Sequence, residues 1–276
     1  MENRMKLSII TINYNNKDGL QKTIDSVICQ TWTDYEWIVI DGGSTDGSKE
    51  LIEQYQQLFA YWCSEPDKGV YNAMNKGVDH AIGDYLLFLN SGDCLHERTV
   101  LDQVLSQAMV DDIVYGSLNF VSSNSQKVFH YPEMLSLHYF FCYSIGHPSS
   151  FIRASLLKEC GYREDLKIVS DWCKFLEWFR EGKSFRKIPI VVSDFDTTGM
   201  SSSNEILIRQ ERTRVLEGLF GRENKQLIEE SIKMQRVYDI VHETGFLRIL
   251  ENGGRRYALL LRFILFLNKT AGLSKT

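Results

Sequence analysis

Short, almost wholly apolar runs alternate with stretches of helical period through the first half of this chain, and few folds admit that rhythm. Leu7-Ser-Ile-Ile-Thr-Ile12, Glu36-Trp-Ile-Val-Ile40, Ala60-Tyr-Trp-Cys63 and Asp84-Tyr-Leu-Leu-Phe-Leu89 read as strands. Between and after them, 18–29, 48–58, 70–81 and 99–109 read as helices. Strands that are apolar on both sides must be covered on both sides. The expected fold is therefore α/β, a Rossmann-like, mostly parallel sheet between helices. After Asp112 the rhythm changes. Strands are expected over 113–120 and 127–131, short helices over 154–159 and 171–180, and a strand over 185–192. Residues 132–152 carry aromatics and two histidines without a clear period. From Glu205 only helical pattern remains, so a sheet domain is expected over 1–204 and a helical extension over 205–276.

In an open parallel sheet, ligands bind beyond the carboxyl ends of the strands. Four such tips here are polar, glycine-rich or acidic: Thr11-Ile-Asn-Tyr-Asn-Asn16, Asp41-Gly-Gly-Ser-Thr-Asp46, Glu65-Pro-Asp-Lys-Gly69 and Asn90-Ser-Gly-Asp93. No G-x-G-x-x-G follows the first strand, and Ser48-Lys49 reverses the P-loop order. Dinucleotide dehydrogenases and P-loop NTPases are thereby excluded. Nor is there an H-E-x-x-H zinc site or a G-x-S-x-G elbow. A net charge of −5 over 276 residues argues against nucleic acid as the partner. The six cysteines form no C-x-x-C pair and read as reduced thiols. With no signal-peptide pattern at the opening residues, this makes a cytoplasmic protein the expectation. Strand tips bearing Asp41 and Asp93 suit a divalent cation with a nucleotide, because Mg²⁺ and Mn²⁺ take one or two carboxylates and leave room for phosphate oxygens.

These tips carry a resemblance. Ser-Ile-Ile-Thr-Ile-Asn-Tyr-Asn (8–15), Ser-Val-Ile-Cys-Gln-Thr (26–31), Ile-Asp-Gly-Gly-Ser-Thr-Asp-Gly-Ser (40–48), the 64–77 segment and Gly-Asp-Tyr-Leu-Leu-Phe-Leu-Asn-Ser-Gly-Asp (83–93) follow one another as in the family 2 glycosyltransferases. Those are inverting enzymes of GT-A fold. Weaker similarity continues through Gly146-His147 and Ser170-Asp171 to Gly199-Met-Ser201. The resemblance implies a nucleotide pocket formed by Thr11, Asn13, Tyr14, Asp41, Gly43, Ser44, Asp67, Lys68, Gly69, Asn75, Asn90, Ser91 and Gly92. It implies Asp93 as the ligand of Mn²⁺ or Mg²⁺, Asp171 as general base, and His147, Met200 and Ser201 as donor-sugar or acceptor contacts. The implied reaction transfers a sugar from a nucleotide-diphosphate donor, UDP-hexose or UDP-N-acetylhexosamine first, to a glycan or lipid-linked acceptor in surface-polysaccharide synthesis. The chain departs from the family pattern in three places. Asn90-Ser-Gly-Asp93 replaces Asp-Ala-Asp-Asp, Gly42 replaces a second aspartate, and Met74 replaces a phosphate-directed arginine. These departures motivate an alternative, a catalytically silent nucleotide-sugar-binding or scaffold protein of the same fold.

Other residues have plainer readings. Asp46 reads as a helix cap, Ser170 as the N-cap of the 171–180 helix, and Trp172, Phe175, Trp178 and Phe179 as core. The net charge conceals an asymmetry: residues 246–276 hold six Lys+Arg and one Glu. Arg248, Arg255, Arg262 and Lys269 recur every seven residues beside the apolar run 257–267. That stripe suits a helix lying on the anionic inner face of the cytoplasmic membrane. Docking on the sheet domain or on a second copy of the chain is the other reading.

Overall fold

A computed structural model describes residues 6–122, 125–196 and 204–243. The first half follows the expected rhythm: β1 (Leu7–Asn13), α1 (Lys17–Ile28), β2 (Tyr35–Asp41), α2 (Ser48–Tyr55), β3 (Tyr61–Ser64), α3 (Val70–His80) and β4 (Tyr85–Phe88). β1 pairs in parallel with both β2 and β4, and β2 pairs in parallel with β3. In register, Asn13 lies opposite Asp41, so the first two strand tips end side by side.

One face of these strands buries Ile9, Trp37, Val39 and Leu87 against Leu20, Ile24 and Val27 of α1 and Leu51 and Ile52 of α2. Across the sheet, Gly77 of α3 lies so close to β1 that a Cβ there would meet Ile10 Cγ2 at 2.4 Å. A larger residue would push the helix off the strand. Met74 is fully buried on the same helix, which corrects the expectation of a lost phosphate-directed cation: position 74 belongs to the core. The Thr11 side chain is fully buried, and its hydroxyl accepts from Trp37 Nε1 at 3.0 Å, which ties it to the core.

The second half continues with β5 (Cys94–Leu95), α4 (Val100–Leu105), β6 (Ile113–Ser122), β7 (Ser125–Phe129), α5 (Leu137–Cys142), β8 (Ser150–Arg153), α6 (Ala154–Glu159), α7 (Ser170–Arg180) and β9 (Phe185–Asp196). The aperiodic stretch 132–152 thus contains a helix and the start of a strand. β8 inserts between β4 and β6, antiparallel to both. β9 runs parallel to β6 and carries β5 on its outer edge. β9 also extends past the expected Val192 to Asp196, which brings two carboxylates towards the strand-four tip.

α8 (Glu205–Phe220) starts at Asn204, whose side-chain oxygen accepts from Leu207 N at 3.1 Å, and α9 (Lys225–Glu243) follows. The chain parts into two compact units between Val215 and Leu216, so the first half of α8 belongs with the sheet. In the second unit, Glu217 pairs with Lys225 at 3.0 Å across the break at Gly221. The basic–apolar tail over 246–269 lies outside the described residues, as do Met200 and Ser201. Among the described residues no helix is long and apolar enough to cross a membrane.

Candidate active site

The tips of the first three strands are tied together by a buried carboxylate. Asp41 is fully buried. It accepts from Asn13 Nδ2 at 2.7 Å, Ser44 Oγ at 2.5 Å, Ser44 N at 2.9 Å and Ser64 Oγ at 2.6 Å. Burial alone would raise its pKa; the bonds from Ser44, Ser64 and Asn13 outweigh that and hold it below the ordinary carboxylate value. Asp41 thereby pins the tips of β1, β2 and β3 to one another. Ser44 Oγ also receives the Asn15 amide at 2.7 Å, with Asn15 in the left-handed region at φ 48°. Asp46 is a cap as expected: Oδ1 accepts from Ser48 N at 3.1 Å and Oδ2 from Lys17 N at 2.8 Å.

Around this knot, Tyr14 is 61% exposed, Asp67 is partly exposed and Lys68 is exposed. Asp67 caps the loop before α3 by accepting from Gly69 N at 2.8 Å. Gly42 lies against both aromatic ring and carboxylate: a Cβ there would meet Asp67 Oδ2 at 2.6 Å and Tyr14 Cδ2 at 3.1 Å. A side chain at position 42 would require the Asp67 carboxylate to shift. Gly43, at φ 80°, sits against the Pro66 backbone. Asn75 Oδ1 accepts from Tyr162 N at 2.8 Å and its Nδ2 donates to Tyr162 O at 2.9 Å, so its amide holds that loop to α3.

A chain of hydrogen bonds crosses the other side of the site. Asp171, in the first turn of α7, accepts from the Tyr71 hydroxyl at Oδ1 (2.9 Å) and lies 3.1 Å from His147 Nδ1 at Oδ2. His147 Nε2 lies 3.0 Å from Asn90 Nδ2. With Nδ1 protonated and donating to Asp171, Nε2 is left to accept from Asn90. Burial pushes Asp171 upward, but the bond and charge of His147, the Trp172 amide and Tyr71 together hold it below the usual range. Ser170 is corrected as the cap of α7. It is the first helical residue, and its hydroxyl accepts from Arg163 N at 2.6 Å. Trp172, Phe175 and Trp178 are core, as read.

Among the described residues, Asn13 Oδ1, Asn90 Oδ1, Tyr162 Oη and Arg212 Nε are buried without a hydrogen-bond partner. Asn90 is bonded to His147, and Tyr162 and Arg212 both interact electrostatically with Asp171. Unsatisfied buried polar atoms are rare, and two of the four, on Asn13 and Asn90, lie at strand tips. Sequence reasoning missed Tyr71, Tyr162 and Arg212. Tyr71 stood within the 64–77 motif; nothing in the linear pattern marks the other two.

Asp93 closes the strand-four tip. The turn Asn90–Asp93 is held from α1 by Thr23, whose hydroxyl accepts from Gly92 N at 3.0 Å and donates to Asp93 O at 2.8 Å. Gly92 has φ 108°, and Asp196 Oδ2 lies 3.4 Å from where its Cβ would be. Ser91 O accepts from Asn16 Nδ2 at 2.9 Å. Asp93 is 4% exposed, and burial, reinforced by the Asp196 charge, pushes it up to about 7 against the opposing His147 charge and the Asp196 and Asn90 amides. A buried carboxylate beside a second carboxylate and the orphaned Asn90 oxygen fits a divalent cation chemically. Among the described residues no cluster of three or more His, Cys, Asp or Glu is placed to hold a metal ion.

Residues 8–158 match the family described as glycosyl transferase family 2. An uncharacterized glycosyltransferase of Mycobacterium tuberculosis is 36% identical over 210 residues, covering 72% of this chain and 78% of the relative. The crystal structure of S. aureus TarS 1–349 in complex with UDP-GlcNAc superimposes with a TM-score of 0.64 at 17% identity, covering 83% of this chain and 71% of that one. A mannosyltransferase from Pyrobaculum calidifontis, in complex with GDP-Man and Mn²⁺, has a TM-score of 0.64 at 14% identity, covering 97% and 81%. At those identities the two structures speak for the fold, which is the expected GT-A arrangement of sheet and helices. The matched segment carries the strand tips Asn13, Asp41, Asp67 and Asp93 in order, and the chain belongs to glycosyl transferase family 2 and is a transferase enzyme.

Proposed function

We propose that this enzyme is an inverting, metal-assisted glycosyltransferase. It moves a hexose or N-acetylhexosamine from a nucleotide-diphosphate donor, UDP-linked first, to a glycan or lipid-linked acceptor in surface-polysaccharide synthesis. One observation carries the reading: His147 joins Asp171 to the Asn90–Asp93 turn, so a carboxylate held as an anion faces the turn where a leaving diphosphate would be received. Inversion is a single displacement. The acceptor oxygen forms its bond to the anomeric carbon as the carbon–oxygen bond to diphosphate breaks, and the diphosphate leaves with the electron pair. The acceptor proton passes to Asp171, which His147 and Tyr71 orient.

Tyr14, Asp67 and the Ser44 turn form the nucleotide wall, while Asp41 keeps that wall rigid from beneath. A bound Mn²⁺ or Mg²⁺ supplies Lewis-acid charge to the departing diphosphate. Asp93 would hold it, with Asp196 and Asn90 beside it. The neighbours' UDP-GlcNAc, GDP-Man and Mn²⁺ support a donor and a cation of this class. The test is donor turnover, wild type with Mn²⁺, over UDP-glucose, UDP-N-acetylglucosamine and GDP-mannose. Slow donor hydrolysis is expected for at least one. Nucleotide binding without hydrolysis or transfer of any donor would favour the silent alternative.

The tail extends the proposal to a surface. Its basic stripe beside residues 257–267 supports peripheral contact with anionic lipid, hence a place on the inner face of the cytoplasmic membrane. Deletion of residues 246–276 is expected to abolish co-sedimentation with phosphatidylglycerol vesicles. Unchanged sedimentation, or dimers that the deletion dissociates, would assign the tail to a second subunit instead.

A further inference from the structure

The loop Lys167–Val169 leads into α7 and so into Asp171, yet α7 has no capping side chain of its own: Val169 occupies the N-cap position. Its lead-in loop is anchored instead from α8. Glu211 is buried, and its carboxylate accepts from the amides of Lys167 at 2.6 Å, Ile168 at 3.0 Å and Val169 at 3.3 Å. Three amides on one carboxylate, at the positive end of a helix, make a strong and directional anchor. Arg212, the next residue, grips the same turn from another side. Its guanidinium stacks over the Trp172 ring at 4.7 Å, and its Nη1 donates to Cys142 O at 2.8 Å.

The anchored loop touches the site through one proton. Tyr71 Oη lies 2.6 Å from Ile168 O and 2.9 Å from Asp171 Oδ1. A phenol has a single hydrogen to donate, so the Ile168 carbonyl and the Asp171 carboxylate compete for it. Where Ile168 stands decides how much of that hydrogen bond reaches Asp171. Glu211 holds the amide of the same residue. It lies well beyond residues 8–158, the segment that matches the family.

We infer that Glu211 is a positioning residue for transfer: acting through Ile168, it sets the Tyr71 hydrogen bond and thereby the orientation and basicity of Asp171. The inference rests on Asp171 being the proposed base. It makes α8 part of the working enzyme, although the linear pattern reads it as the start of an appendage.

The test is a double-mutant cycle in the full chain, read as hydrolysis of whichever donor the wild type turns over with Mn²⁺. Glu211→Gln keeps the shape, removes the charge and turns an amide N–H₂ toward backbone amides. It is expected to lower kcat by about ten- to a hundredfold with donor KM within about threefold. Tyr71→Phe is expected to lower kcat as well. The double variant should lose no more than the worse single variant, because both act through one hydrogen bond. Losses that multiply in the double variant, or a Glu211→Gln effect confined to KM, overturn the inference. Melting temperatures establish that each variant is folded. If Glu211→Gln is not, Glu211→Asp takes its place in the cycle, keeping the charge but shortening the reach. A wild type inactive toward every donor overturns the transfer reading and the role of Glu211 with it, whereas an active wild type with multiplying losses overturns the role of Glu211 alone.

Discussion

Asp171→Asn is expected to lower turnover by about 10²–10⁴-fold, the span associated with removing a positioned general base, while nucleotide affinity stays within about threefold. The pocket residues Asn13, Tyr14, Ser44 and Asp67 do not bond to Asp171, which is why binding should survive. The isosteric change also disturbs its neighbours. An asparagine oxygen can still accept from Tyr71, but its N–H₂ then faces His147 Nδ1, a nitrogen that donates in the wild type. His147 must move its proton to Nε2, and Asn90 must turn its oxygen to receive it. A modest loss of melting temperature should accompany the loss of activity. Asp171 is held below its unfolded value, so it stabilises the fold above that value, and the contribution disappears as pH falls through the folded value. The difference in melting temperature between variant and wild type should therefore shrink in acid. Turnover within threefold of wild type would remove Asp171 from the role of base.

Asp93→Asn is expected to do the opposite to stability. The folded protein raises Asp93 to about 7, chiefly by burial. Below about pH 4 folded and unfolded chains both hold the proton, and no penalty exists. As pH rises to about 7 the unfolded chain has released a proton that the folded chain still binds, so stability falls; above about 7 the full penalty remains. Asparagine carries no such charge. At pH 8 and without added metal, the variant should be more stable by about 2–4 kcal/mol, each tenfold of proton affinity amounting to about 1.4 kcal/mol. Below pH 4 the difference should vanish. Mn²⁺ with UDP should reverse the order, because the wild type gains a bound ligand and the variant loses the carboxylate that would hold the cation. Turnover should fall with it. Equal melting temperatures at pH 8 would mean that the Asp93 charge is not penalised. Two carboxylates that both feel the His147 charge, one pushed up and one held down, form the kind of division on which acid–base roles are built.

The strand-tip cluster was legible in the sequence because its signals are local. Each apolar run is a strand, each following polar cluster is a strand tip, and parallel pairing brings the tips to one edge. Asn13 and Asp41 are adjacent for that reason alone. What a side chain does at that edge was less legible. Thr11 and Asn75 belong to the same motifs as Asn13 and Asp67, yet one serves Trp37 and the other the Tyr162 loop. Strand direction decides which face a residue takes, but the partner across the gap lies 26 residues away for Thr11 and 87 for Asn75.

The amino-acid order by itself determined the fold class, the edge at which the polar strand tips meet, and the family, because hydrophobic period and strand-tip motifs are properties of neighbouring residues. Tertiary structure alone decided the electrical character of the site. Asp93 and Asp171 are the same residue type, and the groups that separate their pKa values come mostly from elsewhere in the chain. Burial beside Asp196 pushes one up, and bonds from Tyr71 and His147 hold the other down. Those partners come from α3, β9 and the turn before β8, and only folding brings them within hydrogen-bond reach.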